Sequence, residues 1–191
     1  LLIAPIWIYP IFIMKVMCFA LFACAFNLLI GFGGLLSFGH AMFLGTAGYV
    51  SAHAAKVWGW NPELAILFAT ACSALLALVI GSLAIRRQGI YFAMITLAFS
   101  QMMFFFYLQT PFTGGEDGIQ SVPRGKLFGF YDLAENTNMY IFVLVIFLIG
   151  FALIWRVIHS PFGQILKAIR ENQDRAISLG FDTDRYKLIA F

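Results

Sequence analysis

Long apolar stretches alternate with short polar ones along the chain, and the charged positions fall almost entirely in the polar ones. Ile11 to Ile30 carries a single charge, Lys15, close enough to one end for its ammonium to reach the headgroup layer while its stem stays in hydrocarbon. Ser37 to Val57 is more weakly apolar and crowded with Gly, Ala and Ser. Pro62 to Ile85, Gly89 to Thr110 and Met139 to Ile158 are strongly apolar and bounded by Pro, Gly or charge. A helix of about 20 apolar residues crosses the hydrocarbon layer and satisfies its own backbone groups where water cannot. The pattern predicts an all-α, polytopic transmembrane helical bundle with about five membrane segments, at 11–30, 37–57, 62–85, 89–110 and 139–158, and 181–191 leading into a sixth.

One stretch, Ser160 to Gly180, breaks this rhythm. Read as a helix, it has Ser160 as N-cap, Pro161 at the first helical position and Gly180 suited to a left-handed C-terminal cap. Phe162, Ile165, Leu166, Ile169, Ala176 and Ile177 recur at helical spacings, while Lys167, Arg170, Glu171, Asp174 and Arg175 gather on another face. Glu171 and Arg175, four apart, would stiffen an exposed helix by only about 0.2 to 0.5 kcal/mol. Two readings stay open. The stretch is an interfacial helix lying in the headgroup layer, or a docking helix that transmits force from a cytoplasmic motor.

Composition rules out a soluble domain: with 62% hydrophobic and 11% charged residues and a mean hydropathy of +0.89, 191 residues cannot bury their apolar surface in one core. The formal charge of +3 is too small to imply nucleic acid, but its distribution orients the spans. Six of the twelve Lys and Arg residues lie between Arg156 and Lys187, and basic loops favour the cytoplasmic side. Arg86, Arg87 and the stretch from Arg156 are therefore inside, as is the glycine-rich bend Gly31 to Gly34. The loop 111–138, with two basic and four acidic residues, is outside. Cys18, Cys24 and Cys72 all lie in apolar segments and suggest neither disulfide nor metal site. The chain opens at Leu1 inside an apolar run and stops at Phe191 in the first turn of another, without an initiator Met or signal-peptide layout, so a fragment, a partial transmembrane domain over 1–191, is expected.

Several polar or small residues within the spans are candidates for function. Ala41 with Gly45 and Gly48 with Ala52 repeat small residues at four-residue intervals, the pattern of closely packed membrane helices. Gly31, Gly33, Gly34 and Gly39 could instead break a helix along a substrate path. His40 has no carboxylate or cysteine near it in sequence to suggest a relay or metal, and no catalytic or metal-ligating set emerges. Thr96 and Ser100 share a helix face beside Gln101; these groups line a polar passage or bond to a neighbouring helix, an interaction of about 0.6 to 2 kcal/mol. In the external loop the acidic pair Glu116 and Asp117 sits between turn-forming glycines, either merely solvated or placed to meet a partner by charge complementarity.

Four motifs occur in order: Asn27 to Gly31 with Gly34 to Ala41 and Gly45 to Tyr49; Arg87 to Ala98; Thr113 to Ile119; and Pro161-Phe162-Gly163, Ala168 to Asn172, Ala176, Leu179-Gly180 and Tyr186 to Phe191. Together they resemble the branched-chain amino acid ABC transporter permeases, in the LivM-like half of the LivH and LivM pair, over nearly the whole chain. The resemblance implies a bacterial inner-membrane subunit that pairs with a LivH-like permease, two cytoplasmic ATP-binding subunits and a periplasmic binding protein. It implies leucine, isoleucine and valine as substrates, moved by alternating access, with ATP and Mg held by the partner ATPases and no cofactor bound by this chain. Residues 160–180 then become the cytoplasmic coupling segment, with Pro161, Phe162, Gly163, Arg170, Glu171, Ala176 and Gly180 matching the family's loop. Glu116 and Asp117 become binding-protein contacts. The chain has no Gly-rich phosphate loop of its own. Related permeases carry urea, short amides or aromatic compounds. A secondary transporter would show ionised groups inside its spans, and a membrane enzyme a paired constellation of His and carboxylates.

Overall fold

The computed structural model describes residues 9–87, 89–127, 131–133 and 135–191; Gln88, in the second motif, lies outside them. Among the described residues the chain forms eight α-helices: α1 Pro10–Asn27, α2 His40–Lys56, α3 Pro62–Ala84, α4 Ile90–Gln109, α5 Asn136–Ile158, α6 Pro161–Glu171, α7 Gln173–Ser178 and α8 Thr183–Ala190. A π-helical turn, Leu28–Phe32, extends α1. The only strand pairing among these residues is a two-residue antiparallel ladder, β1 Lys126–Leu127 with β2 Tyr131–Asp132. The architecture is all-α.

Among the described residues four stretches are long and apolar enough to cross a membrane: Pro10–Phe32, Pro62–Ala84, Ile90–Gln109 and Asn136–Ile158. The fifth expected segment, 37–57, contains α2, whose 17 residues reach about 26 Å at 1.5 Å per residue, short of a hydrocarbon layer of about 30 Å. Its weaker hydropathy follows from its small residues.

The backbone contacts divide the chain into two compact units. In the first, residues 9–34 and 133–190, Ile13, Met14 and Met17 of α1 form a core with Tyr140 and Leu144 of α5. Higher up, Leu21 lies where a Cβ on Gly150 would meet it at 2.9 Å. The paired numbers rise together, so the helices run parallel and their carboxyl ends lie at one end of the unit, as the charge scheme requires of them. Much of the remaining surface is exposed and apolar, including Phe12, Phe19, Leu148 and Leu153. Such a surface suits lipid, where association rests on close packing rather than on water exclusion.

The second unit, residues 35–132 with Phe191, is built on an α2–α3 hairpin turned at Gly59, where φ is +64°. Pro62 opens α3 at a position that needs no amide hydrogen, and Ser73 Oγ donates to the Phe43 carbonyl at 3.0 Å across the hairpin. Trp58, Trp60 and Phe68 pack together at the turn, with ring centroids 5.0 to 5.7 Å apart. Their amphipathic rings are of the kind that sits at a headgroup boundary.

Candidate functional site

The 160–180 stretch is two helices rather than one. After Glu171 the backbone extends at Asn172, with φ −155° and ψ 103°, and Asn172 Oδ1 accepts the Arg175 amide at 3.0 Å to cap α7. The expected Glu171–Arg175 pair is therefore not formed, because the two residues no longer lie a helical turn apart. Ser160 does precede Pro161, yet its hydroxyl donates to the Val157 carbonyl at 2.6 Å instead of capping α6. Gly180 takes the expected left-handed conformation, φ +88°: its amide donates to Ile177 O, and that of Phe181 to Ala176 O, closing a Schellman motif.

Gly163, Leu166 and Ile169 of α6 and Ala176 of α7 are buried, whereas Glu171, Asp174 and Arg175 are exposed. Ile177 departs from the apolar face assigned to it: it is 52% exposed, next to Leu179 at 68%. The break at Asn172 turns α7 so that these two apolar side chains join the charged outer surface. Gly163 sits tightly against the end of α5. A Cβ there would meet the Val157 carbonyl oxygen at 2.8 Å and that of Ile158 closer still, so only glycine fits.

Phe162 packs its ring 5.6 Å from that of Tyr186, tying α6 to α8. Sequence reasoning assigned no role to Lys187 or Gln173, which hold this corner together. Lys187 is only 4% exposed, and its Nζ donates to Gln173 Oε1 at 2.6 Å. Gln173 Nε2 in turn donates to Thr183 Oγ1 at 3.4 Å. Burial pulls the Lys187 ammonium below its ordinary pKa, with Asp184 pushing it partly back. A lysine inside an otherwise apolar stretch, Tyr186 to Ala190, was the one available signal.

The glycine-rich bend lies against α6. Leu28–Phe32 forms the π-turn, the Gly33 amide donates to Leu28 O, and Gly34 takes φ +67°. Gly31 leaves room for the Asn27 amide, since a Cβ would stand 2.9 Å from Asn27 Oδ1. Arg170 Nη1 donates to the Gly31 carbonyl, Lys167 Nζ sits 5.0 Å from the centre of the Phe32 ring, and a Cβ on Gly34 would lie 2.7 Å from Arg170 Cγ. Arg170, matched to the family's coupling loop, is exposed and also bonds within its own chain.

In the second unit the candidates separate. Thr96 is fully buried; its Oγ1 accepts the Phe38 amide at 3.2 Å and donates to Ala93 O at 2.9 Å. Gly39 fits tightly beside it, a Cβ meeting Thr96 O at 3.0 Å, and its amide donates to Ser37 Oγ, which also lies 3.4 Å from His40 Nδ1. These residues hold the start of α2 on α4. Gly45 and Gly48 have no atom within 4 Å of an added Cβ, so their spacing marks no helix contact among the described residues. Gly45 instead lines a pocket of about 160 Å³ with Tyr49, Ser100, Met103 and Tyr107. Gln101 is exposed on α4. Glu116 and Asp117 are exposed on a short 3₁₀ turn, Gly115–Asp117, between Gly114 at φ +80° and Gly118 at φ +67°.

The family described as "Branched-chain amino acid transport system / permease component" matches residues 9–191. Two curated relatives, each called high-affinity branched-chain amino acid transport system permease protein LivM, come from Salmonella typhimurium and Escherichia coli strain K12. Each is 26% identical over 198 residues, covering 92% of this chain and 47% of the relative, so the chain spans about half their length. No solved structure matches at comparable significance. Together with the apolar spans, these matches make it a multi-pass protein of the inner membrane. The chain belongs to the permease component family of branched-chain amino acid transport systems.

Proposed function

We propose that this chain is one permease half of an ATP-driven importer of branched-chain amino acids, and that α6 and α7 form its coupling segment. The substrate passes by alternating access with no bond in it broken. ATP and Mg belong to two cytoplasmic ATP-binding subunits, a LivH-like permease completes the path, and a periplasmic binding protein delivers leucine, isoleucine or valine. Glu116 and Asp117 offer that binding protein a negative surface, while Gly31, Gly34, Gly39 and Thr96 hold the helix breaks beside the path.

The observation that carries the reading is the two-sidedness of α6 and α7. One face buries Leu166, Ile169 and Ala176, and the other presents Glu171, Asp174, Arg175, Ile177 and Leu179. An exposed pair of large apolar side chains among charges is the composition of a protein contact more than of a solvated loop. The test is co-purification of the ATP-binding subunits with the full-length permease pair. Ile177→Asp with Leu179→Asp is expected to abolish it while both permeases still insert together; unchanged co-purification overturns the assignment.

A further inference from the structure

The π-turn acts as one extra residue in a helix otherwise regular from Pro10, and such turns recur where a helix has a task beyond spanning. It sits where α1 ends and the glycine segment begins. Two residues of α6 converge on it: the Arg170 guanidinium bonds the Gly31 carbonyl and its stem packs where a side chain on Gly34, just past the turn, would stand, while the Lys167 ammonium lies over the Phe32 ring. Leu29 inside the turn and Leu166 on α6 are both fully buried. A π-turn leaves carbonyls pointing away from the helix ladder, and a guanidinium is the donor best shaped to satisfy one at a fixed angle.

We propose that Arg170 is a positioning residue that clamps α6 to the π-turn, so that the coupling helix and the end of α1 move as one body and displacement of α6 is delivered directly to the Gly31–Gly34 break. On this account Arg170 does not touch an ATP-binding subunit. Its guanidinium is anchored through Nη1 on the chain's own Gly31 carbonyl, while Glu171, the next residue, is exposed. Lys167 supplies a second, weaker tie, since a cation over a ring at an exposed site adds less than a charge-assisted hydrogen bond. The inference rests on the coupling role proposed for α6 and α7.

The test uses the full-length complex reconstituted in vesicles, with Cys18, Cys24 and Cys72 replaced by alanine and with cysteines at Phe32→Cys and Lys167→Cys. A short bifunctional thiol reagent bridges the pair, and leucine transported per ATP hydrolysed is compared before and after bridging. Bridging is expected to leave that ratio unchanged. In the Arg170→Ala background the ratio is expected to fall about tenfold, the loss of one hydrogen bond to a charged donor, with the ATP-binding subunits still co-purifying. There, bridging is expected to restore most of it, and Arg170→Lys to retain part. Rescue by a covalent tie is an outcome that a residue needed merely for folding does not give. Transport stopped by bridging overturns the clamp, because it means α6 slides against α1. So does Arg170→Ala with an undiminished ratio. Loss of the ATP-binding subunits from the Arg170→Ala complex assigns Arg170 to the partner interface and also overturns the clamp. If the complex with unaltered Arg170 fails to capture those subunits, the coupling role itself is refuted and the clamp with it.

Discussion

Replacing Gly163 by alanine probes the seat of α6 on α5 with a single methyl group. The Cβ would lie 2.8 Å from the Val157 carbonyl oxygen and nearer still to that of Ile158, and both are backbone atoms at a helix end that cannot rotate aside. Relief requires α6 to lift by several tenths of an ångström, carrying Leu166 and Ile169 out of their buried positions. Overpacking of this kind costs about 1 to 3 kcal/mol, and alanine returns about 0.5 to 1 kcal/mol through its better helix propensity, leaving a net cost of up to about 2.5 kcal/mol. Because helicity improves while seating worsens, the loss falls on where α6 sits rather than on whether it forms. In a reconstituted full-length complex, uptake per ATP hydrolysed is expected to drop about tenfold, with larger losses for Gly163→Val and a lowered unfolding temperature in both. Wild-type uptake and stability in Gly163→Val would refute the close approach and the coupling geometry derived from it.

Further outcomes follow from other sites. Thr96→Val strands the Phe38 amide and is expected to destabilise the α2–α4 contact by about 1 to 3 kcal/mol, seen as a lower unfolding temperature in detergent, whereas Thr96→Ser keeps the hydrogen bond and most of the stability. Lys187 has a folded-state pKa below its ordinary 10.5, so the folded form binds fewer protons between the two values and stability rises with pH across that window. The unfolding temperature of wild type relative to Lys187→Met is therefore expected to rise as pH is taken up toward 10.5, and a flat difference counts against the burial. Glu116→Lys with Asp117→Lys is expected to slow binding-protein-stimulated uptake at low salt and to have little effect at high salt, where exposed charges are screened.

The membrane helices were readable because an apolar run and its Pro and Gly boundaries are local signals: Pro62 and Pro161 open helices, and Gly180 closes one. The break at Asn172 was less visible, since an asparagine ends a helix only when its side chain caps another, and that depends on where the Arg175 amide is turned. The contact between Arg170 and Gly31 spans 139 positions, and no periodicity within either segment encodes it. Arg170 is exposed like its charged neighbours, and nothing local sets it apart from them. Small-residue spacing at Gly45 and Gly48 records that a backbone can be approached, not which neighbour approaches it, and no described atom lies within 4 Å of a Cβ at either. Lys187 could have been noticed, since a cation placed at a buried helical position needs a partner, though not which one.

The most direct measurement is ATP-driven accumulation of labelled leucine in vesicles containing the full-length permease pair, the ATP-binding subunits and the binding protein, with transport and hydrolysis followed together. The account predicts accumulation that depends on ATP and is lost, with hydrolysis persisting, when Gly163→Val unseats α6. Leucine uptake at background in the unaltered complex while ATP is hydrolysed would contradict the proposed transport, and full uptake by the unseated variant would contradict coupling through α6.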